Sequence, residues 1–186
     1  MRIEKLRRKY EIEVVWTHFP LHPDTPADGI ALEEMFRGKK LDIPAMRSRM
    51  QGLMADEGLP YGDRSRTYNS RLAQELGKWA DSEGGGDSFH DAMFKAYFAK
   101  GQDISDVDTL IAIAEHAGLS ANEAQSVLLE RRFQTAIDAD WERSRAVGVT
   151  GVPTFAAEGR GVVGAQSYEV LEQLVKEAGA IPRTEG

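Results

Sequence analysis

Cysteine is absent from the 186 residues, so no thiolate is on hand for disulfide exchange, nucleophilic attack or metal ligation. The remaining groups that could do chemistry are few. His18 and His22 flank a proline-rich stretch and could give or take a proton near neutral pH, but no carboxylate stands at a spacing that would orient either. With His90 and His116 they make four histidines, and none falls into a metal-binding spacing such as H-E-x-x-H. Asn69, Gln166 and Ser167 stand at the starts of helical runs. A polar side chain there can cap the free N–H groups of a first turn, and the same groups can instead hold an anion. There is no glycine-rich phosphate loop; Gly84, Gly85 and Gly86 fall between two helical patterns and read as a helix stop or hinge. Pro153 opens a strand-like run, where a proline is by default an edge or turn residue.

The elements that must position these groups follow from periodicity. Residues 1–9 read as a basic amphipathic helix with Ile3 and Leu6 on one side, and 11–17 as a strand from their β-branched content. Phe19 to Pro26 carries three prolines and is predicted to be an extended loop. Helices are expected over about 42–57, 70–82, 87–100, 106–117, 120–130 and 131–147. Asp42 with Pro44 marks the start of the first, and Gly118 ends the fourth. Ser120 followed by Glu123 has capping-box spacing. Val152–Ala157 and Gly161–Val163 then form a hairpin, and 167–178 a closing helix with Val170, Leu171, Leu174 and Val175 in one stripe. Trp16, Trp79, Trp141 and the Phe89, Phe94, Phe98 set are expected in the core.

Gly148-Val149-Thr150-Gly151-Val152-Pro153-Thr154-Phe155 resembles the G-V-x-G-V-P-T-F segment of the DsbA family of thioredoxin-fold proteins. Phe19-Pro20-Leu21-His22-Pro23, Tyr68 to Ala73, His90 to Phe98 and Gly164-Ala165-Gln166 are similar to its FrnE-like branch, near the 2-hydroxychromene-2-carboxylate isomerases and kappa-class glutathione transferases. The resemblance implies an α/β, thioredoxin-like fold with a large inserted helical domain. It divides the chain into 1–40 and 148–186, the two parts of the thioredoxin-like domain, and the helical insertion 41–147. It also implies a cis Val152–Pro153 bond whose bend exposes the Val152 main chain to an extended peptide or to the backbone of glutathione. Asn69, Gln166 and Ser167 join Val152 and Pro153 as substrate-binding candidates, Gln166 and Ser167 through the γ-glutamyl carboxylate that glutathione-binding relatives hold at the start of the terminal helix. No residue of the chain is a catalytic candidate, and no metal is expected.

Members of this branch begin with a strand and a C-x-x-C turn, and this sequence starts inside the helix that follows. The expectation is that the first central strand and its cysteines, roughly 20 residues, are missing. The family function is thiol–disulfide oxidoreduction, and without its cysteines the chain as written is expected to be inactive. Two alternatives stand beside that reading: a cysteine-free module binding peptide or glutathione, and a glutathione-assisted isomerase whose cofactor supplies the thiol. The expected partners are a peptide, a protein thiol or a glutathione-like substrate, with glutathione the one cofactor in view. A homodimer that completes the open sheet is a further expectation. The net charge of −7 disfavours nucleic acid and anionic membranes. No apolar run suits a membrane span and the first residues lack a signal-peptide core, which makes the cytoplasm the expected compartment.

Overall fold

Residues 2–38 and 42–184 are described by the computed structural model, so Met1 of the expected N-terminal helix lies outside the described residues. The chain forms two units, Met1–Leu21 with Asp140–Gly186, and His22–Ala139. Among the described residues, no helix is long and apolar enough to cross a membrane.

The unit His22–Ala139 is built on helices α4 (Arg71–Ser82), α5 (Gly86–Phe94), α6 (Val107–His116) and α7 (Ala121–Glu130). Ahead of them come strand β1 (Ile30–Ala31), helices α2 (Leu32–Met35) and α3 (Ile43–Asp56), and strand β2 (Arg66–Thr67). Ala73, Leu76 and Ala80 recur at helical spacing along α4 and bury against Phe89 and Met93 of α5, Leu110 and Ala114 of α6, and Ala124, Val127 and Leu128 of α7. Trp79 and Phe89 sit in this core as expected, whereas Phe94 is 48% exposed. Asp106 and Ser120 cap α6 and α7, each accepting the N–H three residues on, from Thr109 and Glu123. The three-glycine run is a helix stop: Gly84 takes a left-handed conformation directly after α4, and α5 starts at Gly86.

Two features of this unit have no periodic signature. β1 and β2 pair antiparallel, Ile30 with Thr67 and Ala31 with Arg66. Gly29 makes the approach possible, because its φ is +73° and a Cβ there would stand 2.6 Å from the Thr67 carbonyl oxygen. The helix expected over 87–100 is α5 followed by a π-turn, Lys95–Ala99. The π-turn presents the Phe98 carbonyl, one of the last-turn carbonyls without a helical partner, to the Gly62 N–H, which donates at 2.9 Å. It also sets the Tyr97 hydroxyl between Arg64 Nη1 at 2.5 Å and Thr67 Oγ1 at 2.8 Å.

Glu75 is a buried charge in this unit, 1% exposed. Its carboxylate accepts from Arg71 Nε at 2.7 Å and from Arg131 Nε and Nη2 at 2.8 and 2.7 Å. Burial alone would raise the carboxyl above its ordinary range, but the hydrogen bonds of Arg131 and Arg71 outweigh it and hold the group below. Arg131 reaches Glu75 from the C-cap of α7 with φ at 52°, a left-handed conformation that costs a non-glycine residue about 1 kcal/mol.

The other unit packs helix α1 (Arg2–Lys9) and helix α9 (Tyr168–Glu177) with the hairpin β3 (Thr154–Ala157) and β4 (Arg160–Val163). Helix α8 (Gln134–Ala146) leads into it. Leu6, Tyr10 and Leu171 are buried, with Ile3, Ile12, Phe155, Val162 and Tyr168 against them. The hairpin runs Thr154 opposite Val163 through Ala157 opposite Arg160. Its two-residue turn has positive φ at both Glu158 and Gly159, which matches the right-handed twist of the strands. The strand expected over 11–17 does not form. A strand exists only with a ladder partner, and among the described residues none pairs there; Tyr10 makes a single bridge to Pro182, and Glu11 N–H donates to the Ile181 carbonyl at 2.8 Å. Glu172 ties the two helices together. Its carboxylate meets Lys9 Nζ at 2.7 Å, Lys176 Nζ at 3.1 Å, and the hydroxyls of Tyr168 and Tyr10 at 3.1 and 3.2 Å.

Two outcomes follow from these carboxylates. Arg131→Ala leaves Glu75 buried with half its partners, and the expected loss is about 3 kcal/mol in urea denaturation. Arg131→Lys recovers only part of that loss, because an ammonium cannot span both oxygens. Hydrogen bonds from Lys9 and Lys176 hold the Glu172 carboxyl down to about 2, against an ordinary 4.5. A carboxyl lowered in the folded state contributes stability that is complete above its unfolded value and lost as pH falls through the folded one, here between 4.5 and about 2. Carbon-detected NMR titration should find Glu172 near that lower value, and Lys9→Met should move it back toward 4.5.

Candidate docking loop at Val152 and Pro153

The segment between α8 and β3 is shaped by hydrogen bonds at both ends. Gly148, at φ +74°, ends α8, and the N–H groups of Gly148 and Val149 return to Arg145 and Ser144. At the other end Thr154 Oγ1 donates to the Gly151 carbonyl at 2.7 Å. The Val152–Pro153 peptide is cis. The Pro153 carbonyl accepts the Gly164 N–H at 2.7 Å, which extends the hairpin by one bond beyond the Thr154–Val163 pair. Val152 lies between these anchors and is 48% exposed. Its N–H and carbonyl take no hydrogen bond among the described residues. An unpaired donor and acceptor on one bent, anchored residue is the arrangement that accepts the main chain of an extended peptide.

Gln166 and Ser167 belong to the same unit but are engaged locally. Gln166 Nε2 donates to the Val163 carbonyl, and its own carbonyl accepts from Arg2 Nη1. Ser167 Oγ caps α9 by accepting the Val170 N–H at 3.4 Å. That first turn carries an anion already: Glu169 lies in it, and the nearby backbone N–H and Ser167 hydroxyl hold its carboxyl below the ordinary range. A ligand carboxylate arriving at this helix start would meet that negative charge. Asn69 lies in the other unit, where its amide donates to the Thr25 and Pro23 carbonyls at 2.8 and 3.4 Å and its Oδ1 accepts the Arg71 N–H at 2.9 Å. It staples the proline-rich loop to the start of α4.

The histidines fall into separate surroundings. The His18 N–H donates to Asp140 Oδ2 at 3.0 Å, so its main chain anchors it to α8. His90 pairs with Asp81, Nε2 to Oδ1 at 2.9 Å, beneath α5. Among the described residues no group of three or more His, Asp or Glu side chains could hold a metal ion. Thr154 and Glu169 escaped the sequence reading as shaping residues. A threonine directly after a turn proline and an acid in the first turn after a capping serine are the signals that would have marked them.

Comparison with known proteins agrees with this architecture. Residues 1–176 match the DSBA-like thioredoxin domain. The crystal structure of a probable DsbA oxidoreductase from Streptomyces coelicolor superposes with a TM-score of 0.83 at 28% identity, covering 96% of this chain and 82% of that one. In sequence, the uncharacterized protein YwbO of Bacillus subtilis is 24% identical over 177 residues, 79% of this chain and 87% of that protein. The ClpXP adapter protein SpxH of Bacillus licheniformis is 32% identical over 92 residues, 46% of this chain and 31% of that protein. On this match across nearly its whole length, the chain belongs to the family of DSBA-like thioredoxin domains, the fold and family of the DsbA thiol–disulfide oxidoreductases.

Proposed function

We propose that these 186 residues provide the substrate-docking part of a DsbA-like oxidoreductase of the FrnE-like branch and perform no thiol exchange themselves. Exchange proceeds by attack of a thiolate on a disulfide sulfur, and the chain has no cysteine to supply one. What it offers is the Val152 N–H and carbonyl, unpaired among the described residues beside a carbonyl anchored by Gly164. An extended substrate segment adds its main chain there as a short strand, with apolar side chains against Val152 and Val163, which are 48% and 55% exposed. Peptide is favoured over glutathione because Glu169 already places a negative charge in the first turn of α9. For the same reason the glutathione-assisted isomerase reading has less support.

Two measurements test this. In an insulin-reduction assay with dithiothreitol, the purified chain should leave the rate at that of the buffer control; turnover above the control contradicts the reading. An alkylated insulin B chain, which has no reactive thiol, should bind the chain, and Val152→Glu should weaken that binding about tenfold while leaving the fold unchanged, since it sets a charge against apolar side chains. Binding that is indifferent to Val152, or displaced by glutathione, contradicts it.

A further inference from the structure

Helix α3 stands apart from the core: none of its 14 residues is buried. Its start is well made, with Asp42 accepting the Ala45 N–H at 2.9 Å and Pro44 in the first turn. Its apolar residues nevertheless form a stripe. Ile43, Met46, Met50 and Leu53 recur at intervals of three, four and three, the a and d positions of a heptad. Met46, Met50 and Leu53 are 48%, 42% and 43% exposed. Arg49 and Asp56 flank the stripe on one side, at successive g positions, and neither has an ion-pair partner among the described residues. The order of these charges runs against the helix's own dipole, which favours acid at the N-terminal end and base at the C-terminal end. Helix stability alone does not account for it.

We propose that α3 is a self-association face on which a second copy of this chain packs antiparallel, independently of the Val152 loop. The charges select both partner and orientation. Turning one copy end for end about a two-fold axis lays Met50 on Leu53 of the second copy, and brings Arg49 to Asp56 of the second copy, twice by symmetry. A parallel alignment would set g positions against e positions, Arg49 against Met54 of the second copy, and would form no such ion pair. The antiparallel arrangement also opposes the two helix dipoles favourably. The stripe from Ile43 to Leu53 is about 15 Å long and covers less than the roughly 800 Å² per partner of a standard interface, so the dimer is concentration-dependent. The two methionines suit such a face, being flexible and polarizable.

Sedimentation equilibrium on the 186-residue chain, from micromolar to millimolar at low salt, should show the average mass rising from 20.6 kDa toward twice that value. Met50→Glu with Leu53→Glu should keep it at 20.6 kDa, with an unchanged circular dichroism spectrum because no core side chain is touched. Arg49→Asp and Asp56→Arg should each weaken the dimer about fivefold or more, and the two together should restore it. A chain that stays monomeric throughout, a dimer unaffected by the glutamate pair, or a double charge reversal that fails to restore association overturns the proposal.

Discussion

The hydrogen bond from the Gly164 N–H to the Pro153 carbonyl, at 2.7 Å, is the constraint on which the docking loop depends. It carries the hairpin ladder one step past Thr154 and Val163. With the Thr154 hydroxyl bonded back to Gly151, it leaves the loop few conformations. Backbone groups in a folded chain are nearly always paired, so Val152, exposed with its N–H and carbonyl unpaired among the described residues, stands out. The same constraint sets where α9 begins, because Gly164, Gln166 and Ser167 turn the chain from β4 into that helix within a few residues.

Charge plays a different part in the two units. In one, Glu75 is removed from water and survives as a carboxylate only because two arginines close on it. In the other, Glu172 remains near solvent and collects two lysines and two tyrosine hydroxyls between α1 and α9. The first is a structural commitment that a single substitution breaks. The second is a pH-dependent tie that weakens progressively as pH falls from 4.5 toward about 2.

Much of this architecture was legible in the sequence. Helices α3, α4, α6, α7 and α9 lie within a residue or two of their periodic patterns, and the hairpin follows from Gly159 between β-branched runs. The resemblance carried by Gly148–Phe155 points to the family that the match over residues 1–176 supports. What could not be read depends on residues distant in sequence. Arg131 finds Glu75 across 56 positions, and no local pattern announces a left-handed arginine. Residues 11–17 have the composition of a strand, but composition does not supply a neighbour. The π-turn at Lys95–Ala99 depends on partners at Gly62, Arg64 and Thr67. At the site, Gln166 and Ser167 were recognisable as polar residues before a helix, but not the Glu169 carboxylate that shares the first turn with them.

The proposed docking loop rests on Val152 receiving the main chain of an extended substrate. Amide hydrogen exchange at Val152, followed by NMR with and without a saturating alkylated peptide, tests it most directly. Fast exchange is expected in the free chain and strong protection of that amide in the complex, since a new main-chain hydrogen bond replaces water. A peptide that binds while Val152 continues to exchange at the rate of the free chain would contradict it.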